Sequence, residues 1–277
     1  MVRDSMGQGI GNLTRLEMSQ ILCRIEEALE AASLAIAPLF IRGAVKAEYK
    51  SDDDPVTDAD RLANCVLREA LLRNREGWLS EESVDDLTRL EKTRVWVVDP
   101  LDGTREFVAG IPEWCISVAL VDNGRAVAGG ICSPCTGEIF LGAVGQGIWR
   151  NARSVRASRR RNVSGAVVLA SRSEIERGEW MAVTAAPFRI RPMGSVAYKL
   201  ALVSAGLADA TWTCRPKNEW DVAAGVALVE AGGGFVRGKG GCHLTFNNRS
   251  TLLPGILACG PNLCDELSKY VELSESH

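Results

Sequence analysis

The 277-residue chain is poor in histidine and has no long run of apolar residues. His243 and His277 are its only histidines, so the chain offers few candidates for a histidine-based catalytic triad or a Cys/His zinc site. No stretch approaches the roughly 20 apolar residues that a membrane-spanning helix needs. The net charge is −3, which does not indicate a protein that binds nucleic acid polymers or membranes.

Cysteine is not scarce, but its pattern argues against a disulfide scaffold. Nine cysteines, an odd number, are scattered along a chain long enough to form a large core. We expect them to be small packing residues that are buried or half-buried, including the isolated C-x-x-C of Cys132 and Cys135. Since the N-terminus has no apolar signal core, we expect a soluble cytoplasmic protein.

Apolar spacing predicts two helices and then five strands in the first half. The helices cover Leu16–Ile41 and Asp58–Asn74, the second capped by Asp58, with an acidic loop over 51–58 before it. Short turns between the strands favour an antiparallel meander. The predicted strands are Val95–Val98, Cys115–Val121, Ala126–Cys132, Glu138–Ala143 and Gly147–Trp149.

A basic, polar stretch over 151–165 is typical of a connection between two halves. Its run Arg159–Arg161 favours a solvated loop, with an anion site as the alternative. Strands and helices then alternate, which predicts a mixed α/β half. The predicted strands are Val167–Ala170, Ala208–Thr213, Phe235–Val236 and Ile256–Cys259, and the predicted helices are Ala197–Ala205, Asp221–Ala231 and Asn262–Val271. We therefore divide the chain into an α+β half (1–155) with the antiparallel sheet and an α/β half (156–277) that includes Asp221.

Four acidic clusters stand out: DPVTDAD (54–60), SEES (80–83), DPLDGT (99–104) and EWDVAAG (219–225). The third follows a buried strand directly, although buried carboxylates are costly unless they are paired or coordinate a metal. Any one cluster alone is most simply a turn or a solvated face. Together they indicate a shared site for Mg²⁺, because carboxylate and carbonyl oxygens suit hard cations and would repel one another without one.

In this order, the four clusters resemble the motifs of the inositol monophosphatase-like superfamily of Mg²⁺-dependent, Li⁺-sensitive phosphatases. The resemblance spans about residues 16 to 270. It implies an α+β or α/β fold, a layered αβαβα sandwich of the inositol monophosphatase and sugar phosphatase type. It also implies hydrolysis of a phosphate monoester by metal-activated water.

The resemblance implies two or three Mg²⁺ ions and a set of site residues. Asp60, Glu81 and Thr104 would be catalytic, with Thr104 and Asp60 paired to orient and deprotonate the attacking water. Backbone groups of Gly103 and Thr104 would contact the phosphate. The implied metal ligands are Glu81, Glu82, Asp99, the Leu101 carbonyl, Asp102 and Asp221.

The residues around these motifs point to a substrate class. Arg105, Glu106 and Phe107 after DGT resemble the [KR]-E-F of 3′(2′),5′-bisphosphate nucleotidases, where inositol monophosphatases usually have T-N-F. GSVAYKL (194–200) is similar to their G-S-x-x-x-K, SRSE (171–174) to their S-R-S-H, and EWD (219–221) to their last motif. The implied further substrate contacts are Arg105, Arg172, Gly194, Ser195 and Lys199, which suit a small metabolite with two phosphates.

Other interpretations stay open at this point. FVAGIPEW (107–114) resembles inositol phosphatases, so an inositol-1-monophosphatase or broad sugar-phosphate phosphatase is the alternative, although Cys214 or a neighbour stands where inositol-type enzymes carry an acidic residue. Arg105 could pair with Glu106 or Glu113, and Lys199 could be a surface lysine. A non-catalytic binding module is less favoured because no metal ligand is missing. The resemblance also allows a homodimer.

Overall fold

The chain begins with a long helix that packs on one face of the first sheet. In the computed structural model, which describes residues 13–41, 47–51 and 54–275, this helix, α1, spans Arg15–Ile41. Ile25, Leu29 and Ile36 on one side of α1 are fully buried, as the apolar spacing predicts. The first predicted helix is confirmed.

The acidic segment after α1 forms a short hairpin rather than the predicted loop. β1 (Ala47–Ser51) pairs antiparallel with β2 (Asp54–Thr57), so the loop prediction is wrong for β2 and for Ser51 at the end of β1. Residues 52 and 53 of the predicted loop lie outside the described residues.

The second helix, α2 (Asp58–Leu71), is capped by Thr57 and not by Asp58. The Thr57 hydroxyl accepts a hydrogen bond from the Ala59 amide at 3.2 Å, and the Asp60 carboxylate accepts one from the Thr57 amide at 2.8 Å. This reciprocal capping box needs a hydroxyl residue three positions before an acidic one, which only Thr57 and Asp60 supply here.

Seven strands form the sheet beneath α1 and α2. Their order is β3-β4-β5-β6-β7-β8-β9, and β3 runs parallel to β4 whereas the following pairs are antiparallel. The strands are β3 (Gly77–Ser80), β4 (Arg94–Asp102), β5 (Cys115–Asp122), β6 (Arg125–Ser133), β7 (Glu138–Ala143), β8 (Gly147–Arg150) and β9 (Arg153–Val155). The predicted meander is confirmed and gains β9, because residues 153–155 of the expected connection pair with β8.

The second half forms a five-stranded sheet in the order β11-β10-β12-β16-β14. Its strands are β10 (Val167–Ser171), β11 (Arg189–Met193), β12 (Ala210–Trp212), β14 (Phe235–Gly238) and β16 (Ile256–Cys259), and a separate pair consists of β13 (Lys217–Asn218) and β15 (Leu252–Leu253). The sequence did not predict β11, because its RIRPM carries two arginines and a proline. Such residues are tolerated at a sheet edge, which is where β11 lies.

The remaining helices are distributed around and between the two sheets. They are α3 (Thr104–Val108), α4 (Arg172–Glu176), α5 (Val196–Ser204), α6 (Glu219–Ala231) and α7 (Cys264–Glu275). Short 3-10 helices lie at Thr88–Glu91, Met181–Val183 and Lys239–Gly241. The predicted helices of the second half are confirmed with ends shifted by a few residues.

Alternation along β4 explains why its apolar run is continuous. Val95 faces a core shared with α5 and α6, and Trp96 faces a core shared with α1 and α2, since successive side chains point to opposite sides of a sheet. A third core, on the outer side of the second sheet, joins Trp212 to Leu267 of α7. The layers therefore run helix, sheet, helix, sheet, helix, and the predicted αβαβα sandwich is confirmed.

The middle helix layer comes from the second half of the chain and packs against both sheets. α6 packs against β5 and β6 of the first sheet, and α5 packs against β12 and β16 of the second. The division at residues 155 and 156 stays a prediction. Within the described ranges, no helix has both the length and the apolar character needed to cross a bilayer.

The cysteines differ in their exposure to solvent, and the basic run is exposed throughout. All nine cysteines lie in the described ranges, and none of them forms a disulfide. The expectation of burial is wrong for four of them, because they lie on solvent-facing positions: Cys23, Cys65, Cys135 and Cys242. Arg159–Arg161 is exposed, in keeping with a solvated loop.

Two adjacent glycines in β6 let helices approach the sheet from both sides. A Cβ on Gly129 would lie 2.6 Å from the Ala224 carbonyl oxygen of α6. A Cβ on Gly130 would overlap side-chain atoms of Ile25 and Leu29 of α1. The backbone of α6 can shift less easily than the ends of two side chains, because interiors are close-packed.

We predict that Gly129→Ala lowers the free energy of unfolding by about 1–3 kcal/mol, the range for overpacking. Gly130→Ala is the matched control and should cost less, because Ile25 and Leu29 can change rotamer. Urea unfolding followed by circular dichroism measures both. A larger loss for Gly130→Ala would contradict the backbone contact as the tighter constraint.

Candidate active site

A polar cavity of about 430 Å³ lies where β4 ends and where α3, α5 and α6 begin. Both halves of the chain contribute to its wall. The lining residues are Pro55, Glu81, Asp99, Leu101, Asp102, Gly103, Thr104, Arg105, Glu106, Ser171, Ser173, Arg177, Gly194, Ser195, Val196, Lys199, Lys217 and Asp221. The cavity thus brings together three of the four acidic clusters and, through Pro55, the edge of the fourth.

The end of β4 aims two carboxylates at the cavity. The pairing of β4 with β5 is regular to Asp99 and shifts register before Asp102, so the strand bulges between them. Asp99 is 2% exposed, and its Oδ1 accepts a hydrogen bond from the Leu101 amide at 3.0 Å. Gly103 then adopts φ +100, and a Cβ there would lie 3.0 Å from the Glu113 carbonyl oxygen, so the turn requires glycine.

Asp102 is held by the start of α5. Its Oδ2 accepts hydrogen bonds from the Ser195 hydroxyl and the Ala197 amide, both at 2.6 Å. Ser195 adopts a left-handed φ of 51 to reach this position, and its Oγ also caps α5 by accepting from the Tyr198 amide at 3.0 Å. Ser195, predicted as a substrate contact, therefore binds Asp102 in this structure, and its contact with substrate stays a prediction.

The carboxylates at this end of β4 repel one another. Burial raises the pKa of Asp99 well above its usual value, and the nearby charges of Glu81, Asp102 and Asp221 raise it further. Burial also raises the pKa of Asp102, although its hydrogen bonds to Ser195 and Ala197 oppose that shift. Added positive charge beside these carboxylates would favour their ionised forms.

Glu81 and Asp221 reach the cavity from two other elements. β3 runs parallel to β4 with Ser80 beside Val98, so Glu81, the next residue, emerges beside Asp99. Asp221 lies in the first turn of α6, where its Oδ2 accepts a hydrogen bond from the Asn218 amide at 2.9 Å. Of the predicted metal ligands, Glu82 alone is missing from the described lining residues, although its charge contributes to raising the pKa of Asp60.

The predicted pairing of Thr104 with Asp60 is present. The Thr104 hydroxyl lies 3.1 Å from Asp60 Oδ1 and 3.1 Å from the Leu101 carbonyl oxygen, so it can donate its one proton to either acceptor. Asp60 is 2% exposed, and burial raises its pKa, while its hydrogen bonds to Thr57 oppose the shift. A carboxylate with a raised pKa is a better proton acceptor, and the catalytic role stays a prediction.

Positive side chains from the second half line the same cavity. Lys199 is 1% exposed, so the surface-lysine alternative is wrong, and its Nζ lies 3.3 Å from the Met193 carbonyl oxygen. Burial lowers the pKa of Lys199 to about 8, and the charge of Asp102 opposes that shift. Arg177 and Lys217 also line the wall. The sequence analysis did not select either residue. Lys217 could have been found from its position four residues before Asp221, whereas no sequence motif marks Arg177.

The two predicted arginine contacts occupy different places. Arg105 lies on the cavity wall. The Arg172 guanidinium donates to Glu113 Oε2, which also accepts from the Gly194 amide at 2.9 Å, and Arg172 is absent from the described lining residues. In this structure Arg172 therefore braces the Gly194 loop, and contact with substrate stays a prediction for both arginines.

A second acidic group lies beyond the cavity wall. Ligand atoms of Glu174, Glu179 and Cys214 lie within 4.8 Å of one another. Glu174 already accepts from the Trp180 indole at 3.1 Å, and Glu179 pairs with Arg177 and Arg215. These partners offset the charges, so this group is explained without a cation. Glu174, which replaces a histidine of the similar nucleotidase motif, is a buried structural residue here.

Comparison with known proteins agrees with this geometry. The model of the inositol monophosphatase family matches residues 17–272. An inositol-1-monophosphatase of Rhizobium meliloti is 36% identical over 207 residues, which cover 71% of this chain and 77% of that protein.

Solved structures show the same fold. The extragenic suppressor protein SuhB of Bartonella henselae has a TM-score of 0.78 at 29% identity, over 91% of this chain and 98% of that one. CysQ of Bacteroides thetaiotaomicron, titled a bacterial member of the inositol monophosphatase family, has a TM-score of 0.77 at 26% identity, over 89% of this chain and 99% of that one. The chain therefore belongs to the inositol monophosphatase family, a metal-dependent family that hydrolyses phosphomonoesters, and is a phosphatase.

Proposed function

We propose that this phosphatase acts on a small metabolite with two phosphates, a 3′(2′),5′-bisphosphate nucleotide such as adenosine 3′,5′-bisphosphate, which it converts to AMP and phosphate. The observation that carries the proposal is Lys199, a buried ammonium in the wall of the carboxylate cavity. A buried lysine is costly unless negative groups compensate it. A second phosphate would add to the compensation that Asp102 already provides.

Lys199 has further positive neighbours. Lys217 lies close enough that its charge contributes to lowering the pKa of Lys199, and Arg177 lines the same cavity. Lys199 and Lys217, with Arg177 beside them although its guanidinium also pairs with Glu179, suit a substrate with more negative charge than a simple monophosphate ester carries.

An inositol-1-monophosphatase activity is the second candidate. It is favoured by the name of the Rhizobium meliloti relative and by the inositol-type sequence FVAGIPEW after the metal-binding motif. It is disfavoured by Cys214, whose amide donates to the structural Glu174 at 3.1 Å, in the region where inositol-type enzymes carry an acidic residue.

The proposed cofactor is Mg²⁺, as two or three ions. The donor set of carboxylates and one carbonyl is the type that Mg²⁺ prefers, and a cation there would offset the charges of Glu81, Asp102 and Asp221 that, after burial, raise the pKa of Asp99. Bound Mg²⁺ would supply an activated water and stabilise charge on the attacking and leaving oxygens. The proposed ligands are Glu81, Asp99, the Leu101 carbonyl, Asp102 and Asp221, with Glu82 nearby.

The chain's own groups would orient the reactants and move the proton. A water that donates to Thr104 Oγ1 could pass its proton to Asp60 as the Thr104 hydroxyl donates to Asp60 Oδ1, 3.1 Å away. Gly103 and Thr104 would present their backbone amides to the phosphate. The wall formed by Lys199, Lys217 and Arg177 would hold the second phosphate.

We also propose a reducing compartment, the cytoplasm, as the place of action. None of the nine cysteines, all in the described ranges, forms a disulfide, and four of them are exposed. Exposed thiols persist where thiol reductants keep them reduced.

We predict that, with Mg²⁺, the protein releases phosphate from adenosine 3′,5′-bisphosphate with a higher kcat/KM than from inositol 1-phosphate. Phosphate release with both substrates, side by side, measures the ratio. A preference for the inositol ester would select the second candidate function and reject the first.

Asp102→Asn should abolish Mg²⁺-dependent turnover while the fold is kept. The asparagine can place its oxygen toward Ser195 and Ala197, so both hydrogen bonds remain, but it removes a ligand charge. We expect a loss of more than about 100-fold, the upper end for disturbing even an outer partner of a metal. The matched control is Asp122→Asn, a buried aspartate at the far end of β5, which should retain turnover. Wild-type turnover in Asp102→Asn would refute the site.

Lys199→Met should harm the bisphosphate substrate far more than a monophosphate. Methionine fills the buried space without charge, and loss of one charge-assisted contact corresponds to about 10- to 100-fold in kcat/KM. Lys269→Met, on the exposed side of α7, is the control and should change neither substrate. Equal losses on both substrates would remove Lys199 from the specificity argument.

A further inference from the structure

Arg89 joins the loop after β3 to a loop that lies far away in sequence. It is 1% exposed, in the 3-10 helix Thr88–Glu91. Its Nη1 donates to the Asn247 side-chain oxygen at 2.7 Å, and its Nη2 donates to the Asn248 carbonyl oxygen at 2.8 Å. Its Nε and Nη2 also bind Asp85, with Nη2 at 2.9 Å. One guanidinium thus connects two loops through charge-assisted hydrogen bonds.

Glu219 accepts hydrogen bonds from the same loop that Arg89 contacts. It is the first residue of α6 and is fully buried. Its Oε2 accepts from the Asn247 amide at 2.7 Å, and its Oε1 accepts from the amide and the side chain of Asn248, both at 2.8 Å. Thr251 secures the same helix start, because its carbonyl oxygen accepts from the Glu219 amide at 2.8 Å.

The two ends of this bridge lie beside proposed metal ligands on separate elements. Asp85, which binds Arg89, is four residues after Glu81 in the loop that follows β3. Glu219 is two residues before Asp221. The bridge, defined as Asp85, Arg89, Asn247, Asn248 and Glu219, therefore spans from the Glu81 loop to the Asp221 turn.

Packing alone does not require such a bridge. Two buried ions of opposite charge with many hydrogen bonds are no more stabilising than apolar residues of similar volume, but they specify one relative position of the groups they join. A metal site gains affinity when its ligands are held at the right separation before the ion arrives.

We propose that Arg89 and Glu219 are positioning residues for the metal centre. Acting through Asn247 and Asn248, they hold the Glu81 loop and the Asp221 turn at the separation that Mg²⁺ binding requires, and so they set the affinity for the ion. This inference rests on the proposed assignment of Glu81 and Asp221 as ligands.

The test is calorimetric titration of the metal-free full-length protein with Mg²⁺, which needs no turnover. Glu219→Gln replaces one carboxylate oxygen with an NH₂ group at nearly constant shape. If the remaining oxygen still accepts from Asn248, the NH₂ group faces the Asn247 N–H. Two donors then face each other, and the bridge is broken. We expect the Kd for Mg²⁺ to rise about 2- to 30-fold, the range for residues that couple to a site without touching it.

The control separates positioning from stability. Asp209→Asn removes another buried carboxylate, which accepts from the Val167 amide at 2.8 Å in the second half. It should lower the melting temperature but leave the Kd for Mg²⁺ unchanged. If Glu219→Gln lowers the melting temperature and also leaves the Kd unchanged, its role is structural only and the proposal is wrong.

A double-mutant cycle tests whether the two ends act together. Arg89→Met and Glu219→Gln should give a combined rise in Kd smaller than the product of the single effects, because each breaks the same bridge. Independent, multiplying effects would overturn the proposal. Asp85→Asn, at a side chain that is 25% exposed, is a milder variant if Arg89→Met does not fold, and it should raise the Kd in the same direction.

Asp221→Asn distinguishes failure of this inference from failure of the proposed site. If Asp221→Asn abolishes Mg²⁺ binding while the bridge variants bind normally, the metal site stands and the positioning role is refuted. If Asp221→Asn binds Mg²⁺ as the wild type does, the assignment of the site itself is refuted, and the bridge proposal falls with it.

Discussion

Repulsion among buried carboxylates at the end of β4 is the constraint on which the rest of the site depends. Asp99 is almost completely buried beside Glu81, Asp102 and Asp221, and together they raise its pKa well above the usual value. A fold that only had to be stable would place apolar residues there. A bound cation would neutralise these carboxylate charges. This neutralisation by positive charge is consistent with the metal-dependent hydrolysis of the family.

Hydrogen-bond donors at the ends of elements hold each of these carboxylates, and most of the donors are backbone amides. The start of α5 binds Asp102 through Ser195 and Ala197, the start of α6 binds Asp221 through Asn218, and the β4 bulge binds Asp99 through Leu101. Helix starts suit this task because their free amide N–H groups donate hydrogen bonds to a negatively charged partner. The site is therefore assembled from element ends whose positions the sandwich determines.

The layered fold also explains why the cavity has walls of opposite charge. The first sheet supplies the carboxylates of Asp99 and Asp102, while the second half supplies Lys199, Lys217 and Arg177. The middle helices α5 and α6 contact both sheets, so they bring the two walls together. Gly129, where a Cβ would meet the backbone of α6, shows how closely this helix layer must approach the first sheet.

The sequence by itself determined most elements and the four acidic clusters, and its family resemblance predicted the layers. Periodicity reports which face is buried, and the spacing within DPLDGT, SEES and EWDVAAG is local, so both can be predicted from neighbouring residues. Only the tertiary structure decided the partners. In the structure, Arg172 donates to Glu113 and the Ser195 hydroxyl donates to Asp102. Lys199 is buried, and Arg177 lines the cavity. These outcomes depend on contacts between residues far apart in the chain, such as Arg89 with Asn247, and no local pattern records which distant groups will share a hydrogen bond.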